Sequence, residues 1–159
     1  MPITSLYDQI LKKVLFLRRW AKKSSSVISR IRKNQKEMLK MEATTKFYNE
    51  GNIIWVDLEG FASLEITNQK VADLKATLGP HIANQTIVID STNLAVFKQE
   101  ILPVLAECYE IYSKFGRCIM VEAKKTIVNI QLHNTAKKVE GFTGQFVKTT
   151  EEAKAILGI

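Results

Sequence analysis

The side chains of this chain that could do chemistry are few and far apart. His81 and His133 are its two histidines, and Cys108 and Cys118 its two cysteines. Neither histidine has an acid or a thiol at metal-ligand spacing in the sequence, and ten residues between the cysteines fit no CxxC pattern. Asp57, Glu59 and Glu65 cluster loosely, but strand alternation turns Asp57 and Glu59 to one solvated face. Nucleophile-elbow, P-loop, GxGxxG and HExxH patterns are absent. Lys124-Lys125 follows an apolar run and precedes a helical one, where the carboxyl edge of an open α/β sheet binds ligands, so the pair is a candidate anion site. The expectation is a protein that is not an enzyme and that needs no metal and no cofactor.

The strongest signal is charge. The chain carries a formal net charge of +7, yet residues 1–43 hold 11 basic side chains against three acids, while residues 44–159 hold 12 against 13. The excess belongs to an arm. Leu6, Ile10, Val14 and Leu17 recur at spacings of three and four, with Tyr7 and Leu11 beside them. Lys12, Lys13, Arg18, Arg19, Lys22 and Lys23 fill most other positions, which describes an amphipathic helix with a basic polar face. Ser24-Ser25-Ser26 reads as a break or N-cap. A second basic stretch follows, bearing Arg30, Arg32 and Lys33, with Val27, Ile28, Ile31, Met38, Leu39 and Met41 as its apolar residues.

Behind the arm the periodicity alternates. Lys46–Tyr48 and Ile53–Leu58 read as two strands of a hairpin around Asn49-Glu50-Gly51-Asn52. Residues 66–79 form a helix with a Thr67/Asn68 cap and a Gly79-Pro80 stop. Thr86–Asp90 is a β-branched strand buried on both faces. Residues 100–116 form a helix whose Ile101, Leu105, Cys108, Tyr109 and Tyr112 share one face, with Gly116 as its cap. Arg117–Ala123 is a second buried strand. Thr126–Lys138 is a helix patterned by Ile127, Ile130, Gln131 and Asn134. Gln145–Val147 is a last strand, and Thr149-Thr150-Glu151-Glu152 opens a closing helix with a capping box. The order β-β-α-β-α-β-α-β-α implies an α/β (α+β) domain: a mixed sheet with helices mainly on one face. The domains expected are a basic helical arm, 1–43, and a folded unit, 44–159.

The stretches "IIWVDLEGFASLEITNQKVADLKATL", "TIVIDSTNLAVFKQEILPVLAECYEIYSKFGRCIMVEA" and "GQFVKTTEEAKAIL" together resemble the STAS domain, the fold of anti-sigma-factor antagonists and of regulatory tails on anion transporters. "ILPVLAECYEIYSKFG" and "NIQLHNTAKK" are similar to single-domain bacterial relatives of STAS/SEC14-like type. The resemblance spans roughly residues 46–157 and implies a domain that works by contact. STAS phosphoswitch proteins carry Asp-Ser-x-Gly where the long helix begins. Here Lys98-Gln99-Glu100-Ile101 falls at that place, without hydroxyl or glycine, so a phosphoserine switch is not expected. Ser91 and Thr92 lie upstream and read as turn formers.

Two cysteines are too few for a disulfide framework, and buried inert thiols in a reducing compartment are expected. No signal peptide is visible, and the run Val14–Leu17 is far short of the ~20 residues that span a bilayer. The expected location is cytoplasmic, either free, peripheral to a membrane, or within a large assembly. Four roles compete for the arm. Leu6, Ile10, Val14, Leu17 and Trp20 dock on a protein partner or a twin subunit; the arm lies on an anionic membrane; it binds nucleic acid; or it folds back on its own domain. Burying each large apolar side chain contributes ~1.5–3 kcal/mol. The assembly role is therefore the committed expectation: a non-enzymatic interaction module held to a larger partner by its arm. A membrane- or nucleic-acid-associated regulator is the alternative, and a structural subunit of a virion or secretion machine the third.

Overall fold

The computed structural model of the protein describes residues 25–33, 41–76 and 78–159. The chain divides into two units, Met1–Met38 and Leu39–Ile159. In the first unit, residues 25–33 are helical and exposed, and the Ser29 hydroxyl donates to the Ser26 carbonyl at 2.9 Å. Arg30, Arg32 and Lys33 lie on this helix. Leu6, Ile10, Val14, Leu17, Trp20 and the cations Lys12, Lys13, Arg18, Arg19, Lys22 and Lys23 lie outside the described residues.

In the second unit a five-stranded mixed sheet runs in sequence order: β1 (Glu42–Tyr48), β2 (Ile53–Gly60), β3 (Thr86–Leu94), β4 (Arg117–Val121) and β5 (Gln145–Val147). β1 pairs antiparallel with β2, and the remaining neighbours pair in parallel. The connecting helices are α1 (Leu64–Ala76), α2 (Leu102–Tyr112) and α3 (Thr126–Ala136), with α4 (Thr150–Leu157) closing the chain. The hairpin turn needs three successive left-handed residues, Asn49, Glu50 and Gly51, at φ 48°, 58° and 88°. Asn and Gly adopt that region most readily, which is why this stretch turns.

Alternation along the strands sends side chains to two cores. Ile87, Ile89 and Met120 meet Leu105, Tyr109, Val128 and Leu132 on the face covered by α1, α2 and α3. Val88, Ile119 and Val121 turn the other way with Ile53 and Trp55, and α4 covers them through Ala153, Ile156 and Leu157. β3 is thus apolar on consecutive positions because both its faces are covered. The mixed sheet with helices mainly on one face matches the α/β expectation.

Several details differ from what the sequence suggested. β1 begins at Glu42, and Met41 packs into the larger core, so both belong to the folded unit and not to the arm expected over 1–43. Their polar-apolar pattern is too short to show a strand until β2 supplies the pairing. α1 starts at Leu64, and its cap is Ser63: the Ser63 hydroxyl accepts from Ile66 N at 3.2 Å and its carbonyl accepts from Thr67 N at 2.9 Å. Thr67 is buried in the first turn instead of capping it. The long helix opens with a 3-10 turn at Gln99–Ile101 and ends at Tyr112, before Gly116. Gly116 serves a close approach: its N–H donates to Gln85 O at 3.0 Å, and a Cβ there would lie 2.2 Å from Ala83 O. On α3 the buried residues are Val128, Leu132, Thr135 and Ala136, while Ile127 and Ile130 are exposed. The helix is apolar on both sides, so periodicity could not select its inner face.

Candidate interaction face at the carboxyl edge of the sheet

The parallel strands end together at the loops that follow β3 and β4, and polar side chains tie these loops down. β3 carries a register shift: Asp57 pairs Asp90, but Glu59 pairs Asn93, so one extra residue sits between Asp90 and Asn93. Within that bulge the Asp90 carboxylate accepts from the Thr92 backbone N–H at 3.0 Å and from the Thr92 hydroxyl. Thr92 is therefore a local turn former, as expected. Ser91 is not. It is buried and its hydroxyl has no hydrogen-bond partner among the described residues.

Two amide side chains of α3 clasp the two loops. Asn129 accepts from Ala123 N at 2.7 Å and donates to Ala123 O at 2.9 Å. Gln131 accepts from Phe97 N at 3.0 Å and donates to Phe97 O at 2.7 Å. Each amide replaces a strand neighbour for a backbone that has just left the sheet, satisfying groups that would otherwise be unpaired. The sequence placed Gln131 on a patterned helical face; its partner is thirty-four residues away, and pairwise distances of that kind are invisible in a single chain. Lys124 joins the β3 and β4 ends twice, donating its backbone N–H to Thr92 O and its ammonium to Asn93 Oδ1, both at 3.0 Å. Lys125 immediately precedes α3 without capping it, and its ammonium lies 6.0 Å from the Phe61 ring centroid. Both lysines, the candidate anion site, remain exposed.

His133 meets a single acid in space among the described residues. Its Nε2 lies 2.8 Å from Glu122 Oε1, and its ring stacks on Phe146 with centroids 3.9 Å apart. Glu122 just follows β4 and His133 faces it from α3, a pairing made by the crossover. His81 is exposed in the loop before Ile82. Among the described residues no group of three or more His, Cys, Asp and Glu is placed to hold a metal ion. On the opposite face, Asp57 accepts from Trp55 Nε1 at 2.7 Å, from Lys46 Nζ at 2.8 Å and from the Thr44 hydroxyl at 3.3 Å. Partial burial works to raise the Asp57 carboxyl, but the hydrogen bonds from Lys46 and Trp55 outweigh it and hold it below the usual carboxylate range.

Around these clasps the outward residues include aliphatic and cationic side chains beside the polar Asn93, Gln99, Glu100 and Thr126. Ile127 and Ile130, one helical turn apart on α3, are 55% and 53% exposed. Val96 is exposed on the loop that Gln131 clasps, and Lys98, Lys124 and Lys125 are exposed nearby in sequence. Large aliphatic side chains held on a braced surface suit contact with another molecule. The 3-10 turn Gln99–Ile101 leads from Lys98 into α2, and Ile101 offers no side-chain cap there.

No protein-family model matches the chain, and no curated protein matches it in sequence. Solved structures do match in shape. An anti-sigma factor antagonist from Mycobacterium paratuberculosis is similar with a TM-score of 0.53 at 16% identity, over 76% of this chain and 96% of that one. The anti-sigma factor antagonist SpoIIAA, in its unphosphorylated form, aligns with a TM-score of 0.48 at 15% identity, over 74% of this chain and 100% of that one. The fold of this chain is the STAS domain fold of anti-sigma factor antagonists.

Proposed function

We propose that the protein is a non-enzymatic, STAS-type interaction module, attached to a larger protein partner or complex through its basic N-terminal arm. The observation that carries the reading is the braced, outward-facing pair Ile127 and Ile130 among exposed lysines at the carboxyl edge of the sheet. Burying two such side chains in a partner contributes several kcal/mol, at ~1.5–3 kcal/mol each, before the costs of association. Lys98, Lys124 and Lys125 then favour a partner with acidic side chains around its apolar centre. The similar Mycobacterium protein is an anti-sigma factor antagonist, a role exercised by contact, and the reading extends that mode of action to this chain. Support for the arm comes from residues 25–33. Val27, Ile28 and Ile31 are 52%, 50% and 50% exposed on the same short helix as Arg30, Arg32 and Lys33.

The test is capture of partners from the native cell by three forms of the protein: wild type, Ile127→Asp/Ile130→Asp, and a form beginning at Leu39, which keeps Met41 and all of β1. A shared set of partners lost in both altered forms, with unchanged circular dichroism, is the expected result. Undiminished capture by both would refute the proposal. Two rival roles for the arm separate in the same preparation. Retention on anionic vesicles by wild type alone would favour a membrane surface, where each lysine or arginine adds ~1 kcal/mol. Steeply salt-dependent binding to duplex DNA would favour nucleic acid.

A further inference from the structure

The β3 bulge leaves an unexplained group. Ser91 is 0% exposed, and its Oγ is the one buried side-chain oxygen or nitrogen without a hydrogen-bond partner among the described residues. A buried hydroxyl without a partner from its own chain is rare in native proteins and points to a partner from outside the chain. It lines a cavity of about 390 Å³ between the sheet and the helices α1 and α2. Ile87 and Ile89 on β3, Ile54 and Val56 on β2, and Leu105 on α2 supply apolar walls. The other hydroxyl and amide groups in the buried lining are already engaged: Thr67 donates to Ser63 O at 2.7 Å, Gln85 donates to Gly51 O at 3.2 Å, and the Tyr112 hydroxyl pairs with the Cys108 thiol. Phe47, 66% exposed, and the half-buried Lys70 also line it, so the space reaches the surface beside the edge strand β1.

Shape and chemistry select the occupant. Branched aliphatic side chains of β2, β3 and α2 (Ile54, Val56, Ile87, Ile89 and Leu105) form the walls around Ser91, and such walls suit an aliphatic group. Its volume falls within the range of small-molecule sites, about 300–1,000 Å³. A single hydroxyl in an apolar wall can satisfy one neutral oxygen. An ionised carboxylate at that depth would be left short of partners, at much greater cost. We infer that this cavity is a binding site for a medium-length aliphatic chain carrying a neutral oxygen, of alcohol or ester type, which hydrogen-bonds to Ser91. The site is independent of the interaction face at Ile127 and Ile130, and either can fail without the other.

The experiment uses the full-length protein, with the neutral fluorophore N-phenyl-naphthylamine as reporter and decanol and decyl chloride as competitors. Decanol is expected to displace the reporter saturably at a single site, and about tenfold more tightly than decyl chloride, the worth of one buried hydrogen bond. Ser91→Ala should erase that preference while leaving the decyl chloride affinity unchanged. Thr45→Trp, on the exposed edge strand where the lining includes Thr45, should weaken both competitors without touching the core. Absence of saturable displacement from the wild type, or a decanol preference that survives in Ser91→Ala, would overturn the inference.

Discussion

Cys108 and Cys118 illustrate how far residue identity reaches. Their apolar neighbours in the sequence point to inert thiols. Both are free, and burial pushes Cys108 up to about 11 and Cys118 up to about 12. Burial also moves Tyr109 and Tyr112 well above the usual phenol range. At neutral pH almost no thiolate exists in the folded protein, so labelling by a disulfide reagent should be slow and should become fast in denaturant. The same shifts make alkaline pH destabilising. These folded-state values are raised, so below the ordinary thiol value of about 9 neither state ionises and stability is intact. Between there and the folded values the unfolded chain releases protons that the native state keeps. Urea midpoints should therefore fall as pH climbs from 9 toward 11; a flat profile would show that the thiols and phenols are not buried. His133 shows the opposite case. Its partner Glu122 was in plain view in the sequence, yet only the crossover from β4 into α3 brings the two within 2.8 Å.

At the scale of elements, ends were less legible than periods. The closing helix was recognisable from Thr149-Thr150-Glu151-Glu152, because a capping box is local chemistry. The Thr149 hydroxyl accepts from Glu152 N at 3.1 Å, and the Glu152 carboxylate accepts from Lys148 N at 2.8 Å. Thr149→Ala should cost about 1 kcal/mol, read from the shift in urea midpoint, with Thr149→Ser restoring most of it. A null result would mean that α4 is held by Ala153 and its neighbours alone. The start of α1 was misplaced because Ser63 and Thr67 are both plausible caps, and the choice rests on which one the sheet leaves free. Thr67 is taken into the core and Ser63 is not. α3 failed for the same kind of reason: Ile127 and Val128 are equally apolar, and only the position of β4 decides that Val128 goes inward.

For the whole molecule, the separation of charge is the feature the chain states most plainly. A near-neutral body that closes its own two cores should fold without the first 38 residues. A form beginning at Leu39 should unfold cooperatively, with a midpoint within about 4 °C of the full chain, the shift expected from about 1 kcal/mol. Loss of cooperativity would show that the basic segment contributes to the core, and the proposed division of labour would fall. No described helix is long and apolar enough to cross a membrane.

Alternating periods, the Asn49-Glu50-Gly51-Asn52 turn and the strand of β-branched residues from Thr86 determined the order and type of the elements, because those signals act between neighbours along the chain. The carboxyl-edge clasps of Asn129 and Gln131, the outward turn of Ile127 and Ile130, and the stranded hydroxyl of Ser91 were decided by tertiary structure alone. Each depends on which backbone the fold brings beside it, six residues away for Asn129 and thirty-four for Gln131, and such hydrogen bonds or cavities leave no periodic trace.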